Sequence, residues 1–356
     1  MSRTRKVALV VGVTGVTGTP LAEQLLLSKD WKVYGVSRRP PELGAHVERD
    51  ALVHIDGDLT DAAAARRALA ACRDVTHVFY CANAAEKRTR LAMITNVIDA
   101  LEETAPDLAN VNLLQGTKYY GCHLGPFKTP AKESDPRIPG ADFYYSEEDL
   151  VRARQAGRSW TWTAVRPHSV CGYSAGNPMN LVSVIGIYGS LLRELGQTFG
   201  FPGSERCFGT LFQVADAELL ARAAMWVSTS RECANDAFNV NNGDYFRWQH
   251  LWPALARFFD LAANGPRSYS MAEFLSDKQP LWDRMTAKYG LRPFPFARAA
   301  AWAQGDYTPP HSRIACEYDM VSDLVKIRQH GFCEAIDTEE MFLRILARLR
   351  DLKVIP

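Results

Sequence analysis

Val7-Ala8-Leu9-Val10-Val11-Gly12-Val13-Thr14-Gly15-Val16-Thr17-Gly18 is the stretch that decides the fold. Its Val-rich apolar run reads as a strand buried on both faces. The run passes straight into glycines at 12, 15 and 18, and Thr19-Pro20-Leu21-Ala22-Glu23-Gln24-Leu25-Leu26 continues as a helix. The three glycines have different roles. Gly12 permits the tight turn, Gly15 lets backbone amides approach a phosphate, and Gly18 lets the helix pack close on the strand. With Thr14 and Val16 in the turn, the helix N-terminus faces the anion. Glycines are also common in plain turns, so the prediction of a dinucleotide site rests on strand, spacing and helix agreeing.

The next strand, Trp31 to Ser37, ends in Ser37-Arg38-Arg39-Pro40. A carboxylate at this place suits a free ribose 2′-hydroxyl, whereas guanidiniums suit a 2′-phosphate, so Arg38 and Arg39 point to NADPH/NADP+ as the cofactor. A solvated basic loop is the plain alternative. A third strand follows in Leu52-Val53-His54-Ile55-Asp56-Gly57-Asp58-Leu59. Asp58, with Leu59, is placed to contact the adenine, or else Asp58 caps the helix beginning near Asp61.

Strands and helices go on alternating. Val75 to Cys81 reads as a fourth strand, Arg88 to Thr104 as a helix and Val111 to Gln115 as a fifth strand. Repeated βα order implies an α/β fold with a doubly wound parallel Rossmann sheet. Ligands of such sheets bind at the carboxyl ends of the strands. Candidate cofactor contacts therefore include Cys81 and Ala82 after the fourth strand, Gln115 and Lys118 after the fifth, and Pro167, Ser169 and Val170 in Arg166-Pro167-His168-Ser169-Val170-Cys171-Gly172. The pattern changes after Gly172, and the last third, rich in Trp, Phe and Tyr, is mostly helical with proline breaks. The division expected is an NADP-binding Rossmann domain over 1–173, to which 204–242 returns, and a smaller substrate-binding lobe over 174–203 and 243–345. An aromatic lobe suits an apolar substrate and an ordinary helical core equally well.

Composition fits an enzyme of this kind. The chain has 356 residues, of which 47% are hydrophobic, enough for a large core, and its formal net charge of +1 gives no reason to expect nucleic acid or an anionic membrane as partner. No apolar run approaches the ~20 residues of a bilayer span. The basic Met1 to Lys6 precedes the first strand rather than a signal sequence. Eight cysteines without a Cys-x-x-Cys pair read as reduced thiols of a cytoplasmic protein, and the eight histidines show no metal-ligand spacing.

Two residues stand out for chemistry. Lys118 follows the fifth strand in Gln115-Gly116-Thr117-Lys118-Tyr119-Tyr120, and Tyr145 opens a helix in Phe143-Tyr144-Tyr145-Ser146-Glu147-Glu148-Asp149. Short-chain dehydrogenases commonly carry Tyr and Lys four residues apart on one helix, but Asp149 takes the lysine's place here. A lysine supplied from the strand end, together with Phe-Tyr-Tyr-x-x-Glu-Asp, resembles the progesterone 5β-reductase and iridoid synthase family of atypical, extended-type short-chain dehydrogenases. The resemblance spans nearly the whole chain. It takes in Lys32 to Arg39, Asp74 to Tyr80, Gly116-Thr117-Lys118 with Gly125-Pro126-Phe127, Phe143 to Asp149, Ala237 to Val240 before Asn242-Gly243-Asp244, and the ending Val354-Ile355-Pro356.

That resemblance implies NADPH-dependent 1,4-reduction of an enone or enal. Tyr145 would donate a hydrogen bond to the enolate oxygen, Lys118 would hold the nicotinamide ribose and make the phenol more acidic, and both would touch the cofactor. Tyr144 reads as a packing residue, although its adjacency leaves the choice between the two tyrosines open. The implied partner is a small apolar enone or enal, with a homodimer left open. An extended-type carbonyl reductase or epimerase, or a non-catalytic NADP(H) sensor, remain the alternative readings. Three departures from the family pattern affect the pocket. His168 to Cys171 replace Gly-Asn-Ile-Phe, a Trp is absent after the fourth strand, and Gln304 stands where an aromatic is expected. Loss of apolar wall predicts a pocket reshaped for an enone other than a steroid.

Overall fold

The computed structural model describes residues 6–174, 180–267, 269–297 and 317–356. Gln304 and residues 175–179 lie outside them. The first strand, β1 (Lys6–Val11), is followed by α1 (Gly18–Leu27), β2 (Trp31–Ser37), β3 (Leu52–Asp56), α2 (Ala62–Leu69), β4 (His77–Tyr80), α3 (Lys87–Thr104) and β5 (Asn110–Leu114). After a long loop come α4 (Tyr145–Gln155), β6 (Thr161–Arg166), β7 (Ser169–Cys171) and α5 (Leu181–Glu194). Then follow β8 (Phe199–Pro202), the short α6 (Glu205–Gly209), β9 (Val214–Asp216), α7 (Ala217–Thr229), β10 (Asp236–Asn239), α8 (Trp248–Phe258) and β11 (Ala263–Arg267). Among the described residues seven strands form one parallel sheet in the order β3-β2-β1-β4-β5-β6-β10. The chain reverses its direction of winding between β1 and β4, and the register there pairs Val11 with Tyr80. Strand ends on both sides of this switch point therefore lie level, which is where open α/β sheets bind ligands.

Alternation along β1 explains the uninterrupted apolar run. Leu9 and Val11 join the core beneath α2, α3 and α4, while Ala8 and Val10 join the core beneath α1 and α7. Both faces are covered, so neither can be polar. Helix starts follow local capping chemistry: Asp61 accepts the Ala64 N–H at 2.7 Å to begin α2, and Asp216 accepts the Glu218 and Leu219 N–H groups at 2.8 and 2.9 Å to begin α7.

Of the segment 204–242, expected to return to the Rossmann domain, β10 joins the large sheet and β9 does not. Strand β7 pairs in parallel with β9 as a separate two-stranded sheet. A second small sheet, also parallel, pairs β8 with β11. Around β8 lie α5, α8 and the terminal helix Thr338–Asp351. Their shared core buries Trp248, Trp252, Phe199, Phe201 and Tyr188, with Phe199 stacked on Trp252 at 4.5 Å between ring centroids. The final Val354 and Ile355 are buried in the same core. These aromatics are packing residues, each worth ~1.5–3 kcal/mol of burial. No helix among the described residues is long and apolar enough to cross a membrane.

Candidate functional site

The glycine turn is built by close approach. The Gly12 N–H donates to Val36 O at 2.9 Å, and the Gly15 N–H donates to Gly12 O at 3.0 Å. A Cβ on Gly12, whose φ is +83°, would meet Ala82 N at 2.8 Å, and one on Gly18 would meet Gly12 O at 2.2 Å. Larger residues would push the loop after β4 and helix α1 away from the turn. Helix α1 starts with no side-chain cap and no acid in its first turn, which leaves its amides directed at an incoming anion. Thr14 accepts the Ser174 hydroxyl on its carbonyl at 2.5 Å, and Val16 packs near Gly172, so the turn is braced from the opposite side. This cradle fits a dinucleotide.

At the end of β2, Ser37 Oγ donates to Arg39 O at 2.6 Å, while the Arg38 and Arg39 side chains are exposed. Asp58 is held by Thr60, accepting its N–H at 2.9 Å and its hydroxyl at 2.8 Å. Those two bonds, with a smaller contribution from Arg38, lower its carboxyl below the ordinary range. The helix cap is Asp61, so Asp58 does not have that role. Leu59 is buried and its carbonyl accepts Asn96 Nδ2 at 2.9 Å.

On the other side of the switch point, Cys81 donates its N–H to Val11 O at 2.9 Å, and burial pushes its thiol up to about 12. Gln115 is locked in place, accepting Arg166 Nε at 2.7 Å and donating to Glu148 Oε2 at 2.8 Å. Pro167 turns its carbonyl to the Thr117 N–H at 3.1 Å. Ser169 and Val170 lie in β7, where Ser169 pairs with Val214 and Val170 with Ala215. His168 is buried beside Ser322 Oγ at 3.1 Å, and burial drives its pKa to about 3, which keeps it neutral.

The two tyrosines are separated by the start of α4. The Tyr145 hydroxyl donates to Tyr119 O at 2.6 Å and accepts the Ile138 N–H at 3.0 Å. Its ring sits in a small core with Tyr119, Tyr120, Ala131 and Ala141. Tyr145, expected at the reacting oxygen, instead ties the loop between β5 and α4 together. Tyr144 points the other way. A Cβ on Gly116 would lie 3.2 Å from the Tyr144 hydroxyl, so the phenol reaches the end of β5 through the space that glycine leaves. Lys118 arrives from a single 3-10 turn, Thr117–Tyr120, with its Nζ 4.1 Å from the centroid of the Phe143 ring, which itself packs edge-on against Tyr144 at 4.7 Å. Burial raises the Tyr144 phenol well above the ordinary tyrosine range, so at rest it carries its proton and is a donor.

Sequence reasoning missed the buried charges that hold this arrangement. Arg166 and Glu148 pair at 3.0 Å with both side chains 2% exposed. Arg90 pairs with Glu147 at 2.9 Å and donates to the carbonyls of Ala84, Ala85 and Phe143 at 3.1, 3.3 and 2.8 Å. One guanidinium thereby fixes the loop after β4 to the residue before Tyr144. The available signal was an arginine ending the strand Thr161–Arg166, and acids spaced along α4. A cavity of about 50 Å3 opens among Tyr80, Cys81, Ala82, Gln115, Tyr144 and Glu147. Among the described residues no cluster of His, Cys, Asp or Glu could hold a metal ion.

Sheet order and the glycine turn define a Rossmann fold with a helical C-terminal region. Solved structures agree on the fold: the NAD complex of a UDP-glucose 4-epimerase from Thermus thermophilus superposes with a TM-score of 0.65 at 17% identity, covering 97% of this chain and 99% of that one. The terminal R domain from the myxalamid PKS-NRPS biosynthetic pathway gives 0.69 at 16% identity, covering 100% and 94%. Residues 47–356 match the PRISE-like Rossmann-fold domain, and the chain belongs to that family. Curated relatives include an (S)-8-oxocitronellyl enol synthase of Antirrhinum majus, 32% identical over 99% of this chain and 93% of that protein. A 3-oxo-Delta(4,5)-steroid 5-beta-reductase of Arabidopsis thaliana is 31% identical over 98% and 93%, and a short chain dehydrogenase of Penicillium aethiopicum is 31% identical over 99% of each chain.

Proposed function

We propose that the protein is an NADPH-dependent reductase of the carbon–carbon double bond of a small enone or enal, with Tyr144 and Lys118 as its catalytic pair. The observation that carries this reading is the Tyr144 hydroxyl lying against Gly116 at the end of β5, beside the strand end that supplies Lys118. Relatives named as an enol synthase and a steroid 5-beta-reductase support the reaction class. The glycine turn and α1 would hold the pyrophosphate, and Arg38 and Arg39 the 2′-phosphate. When bound, the cofactor supplies the hydride received by the substrate's β-carbon.

Charge then accumulates on the carbonyl oxygen. Tyr144 donates its O–H there, a donor worth ~10²–10³ in rate when it is preorganised. The Lys118 ammonium places positive charge beside the same developing anion and orients the ribose. Tyr145 keeps the loop carrying Lys118 in register with α4. Incubation with NADPH and a panel of 2-cyclohexen-1-one, citral-like enals and progesterone, with products identified by mass, tests the reading. Saturated carbonyl products support it. Formation of allylic alcohol, or no turnover, would count against it.

A further inference from the structure

The cavity beneath Tyr144 has polar walls that the proposed chemistry does not yet use. Tyr80 ends β4 with 5% of its surface exposed, and its buried hydroxyl has no hydrogen-bond partner among the described residues. Glu147 lines the same space, accepting Arg90 Nε on Oε1 at 2.9 Å. Gln115 and Tyr144 complete the polar lining. About 50 Å3 is room for a water or two, and a buried water needs two to four polar partners of the kind present here. An orphaned phenol in such a space is otherwise costly.

We propose that Glu147, through water held in this cavity, returns a proton to Tyr144 each time Tyr144 protonates the substrate's oxygen; this rests on the reductase reading above. As the β-carbon takes up hydride from NADPH, the carbonyl oxygen gains the displaced electron pair. The Tyr144 O–H bond breaks, an O–H bond forms on the substrate, and an enol and a tyrosinate result. A cavity water, oriented by Tyr80, passes a proton to the tyrosinate and receives one from the Glu147 carboxylic acid. Glu147 is left as a carboxylate beside Arg90 and is reprotonated from solvent. One hydride and one solvent proton are consumed per turnover.

The groups facing Glu147 are Arg90 and Lys87 from α3, Tyr80 from β4, and Tyr144 and Asp142 from the turn that leads into α4. Burial raises the Glu147 carboxyl above the ordinary range, with Asp142 adding to this and Arg90 and Lys87 opposing it. Its acid form is therefore accessible at higher pH than for a surface glutamate. Glu147 acts through Tyr144, so its test must separate proton supply from the anchoring of Arg90.

Glu147→Gln keeps an acceptor for Arg90 and removes the titrating proton. With 2-cyclohexen-1-one and NADPH, kcat of the wild type should fall as pH rises through the Glu147 titration. The variant should lose that dependence and about 10- to 100-fold in kcat, with NADPH affinity within about 2-fold. Tyr80→Phe removes a hydroxyl that has no hydrogen-bond partner among the described residues, so folding is kept while kcat falls several-fold; it decides the matter if Glu147→Gln does not fold. A crystal structure with NADP+ should show water bridging Glu147 and Tyr144. Wild-type kcat and pH profile in both variants, or a dry cavity, would overturn the relay. If Tyr144→Phe is disabled while Glu147→Gln is unchanged, only the relay falls; if wild type reduces no enone, or Tyr144→Phe is silent, both fall.

Discussion

Replacing each of the adjacent tyrosines by phenylalanine separates two roles that the helix start has divided. Tyr144→Phe deletes a hydroxyl aimed at the strand end, and the loss of one preorganised donor to a developing oxyanion costs ~2.7–4 kcal/mol of activation free energy, or ~10²–10³ in kcat. Its stability should change little, because among the described residues no hydrogen bond to that hydroxyl is broken. Tyr145→Phe deletes a hydroxyl that donates to Tyr119 O at 2.6 Å and accepts from Ile138 N at 3.0 Å. Both partners are left without their bond in a buried site, at about 1–3 kcal/mol, which lowers Tm by a few degrees. Steady-state NADPH oxidation with 2-cyclohexen-1-one, NADPH titration by fluorescence and thermal melts on both variants give the comparison. Tyr144→Phe should lose kcat at unchanged Tm, and Tyr145→Phe should lose Tm while keeping kcat within a few-fold. The reverse pattern would refute the assignment of Tyr144, and with it the inference from hydroxyl direction.

Other expectations follow from the same geometry. Gly116→Ala puts a Cβ 3.2 Å from the Tyr144 hydroxyl and 3.3 Å from Pro167 O, so kcat should drop about 10-fold with NADPH affinity nearly kept; an unaltered kcat would mean that Tyr144 moves freely. Arg38→Ala should weaken NADPH more than NADH by direct titration, because only the former carries the 2′-phosphate. Arg166→Met leaves the buried Glu148 carboxylate to Arg137 at 3.2 Å and Arg152 at 3.6 Å, and a denaturant melt should register a loss of about 1–3 kcal/mol. For pH, burial depresses His77 to about 4 and His168 to about 3. Both are held below the unfolded value of about 6.5, so the neutral forms favour folding above about pH 6.5. Their contribution declines as pH falls from there toward 4 and below, where the unfolded chain binds protons that the folded one refuses. Urea melts between about pH 7.5 and 4.5 should show that slope, and His168→Gln should flatten part of it.

Much of the fold could be read from local sequence because its signals are local. Val7 to Val11 must be buried on both faces, Gly12, Gly15 and Gly18 admit no Cβ without crowding the turn, and alternating strand and helix patterns require a parallel sheet. The family resemblance, too, was carried by short motifs. The aromatic third was less legible: Trp248, Phe199 and Trp252 would look the same in a ligand pocket and in a core. Their neighbours are set by contacts between distant parts of the chain, as where the Trp252 indole donates to Phe199 O across 53 positions.

The sequence alone determined that an apolar strand and a glycine turn open a doubly wound parallel sheet, because those signals are local. Only the tertiary structure separated the two adjacent tyrosine hydroxyls, one beside Gly116 and one on Tyr119 O. Tyr144 precedes α4 with a non-helical backbone and Tyr145 opens the helix, so the way the chain enters α4 sends Tyr144 to Gly116 and Tyr145 to Tyr119. That entry is set by Arg90 holding Phe143 and by Arg166 holding Glu148. These buried pairs join residues 53 and 18 positions apart, and no local pattern in the chain encodes their meeting.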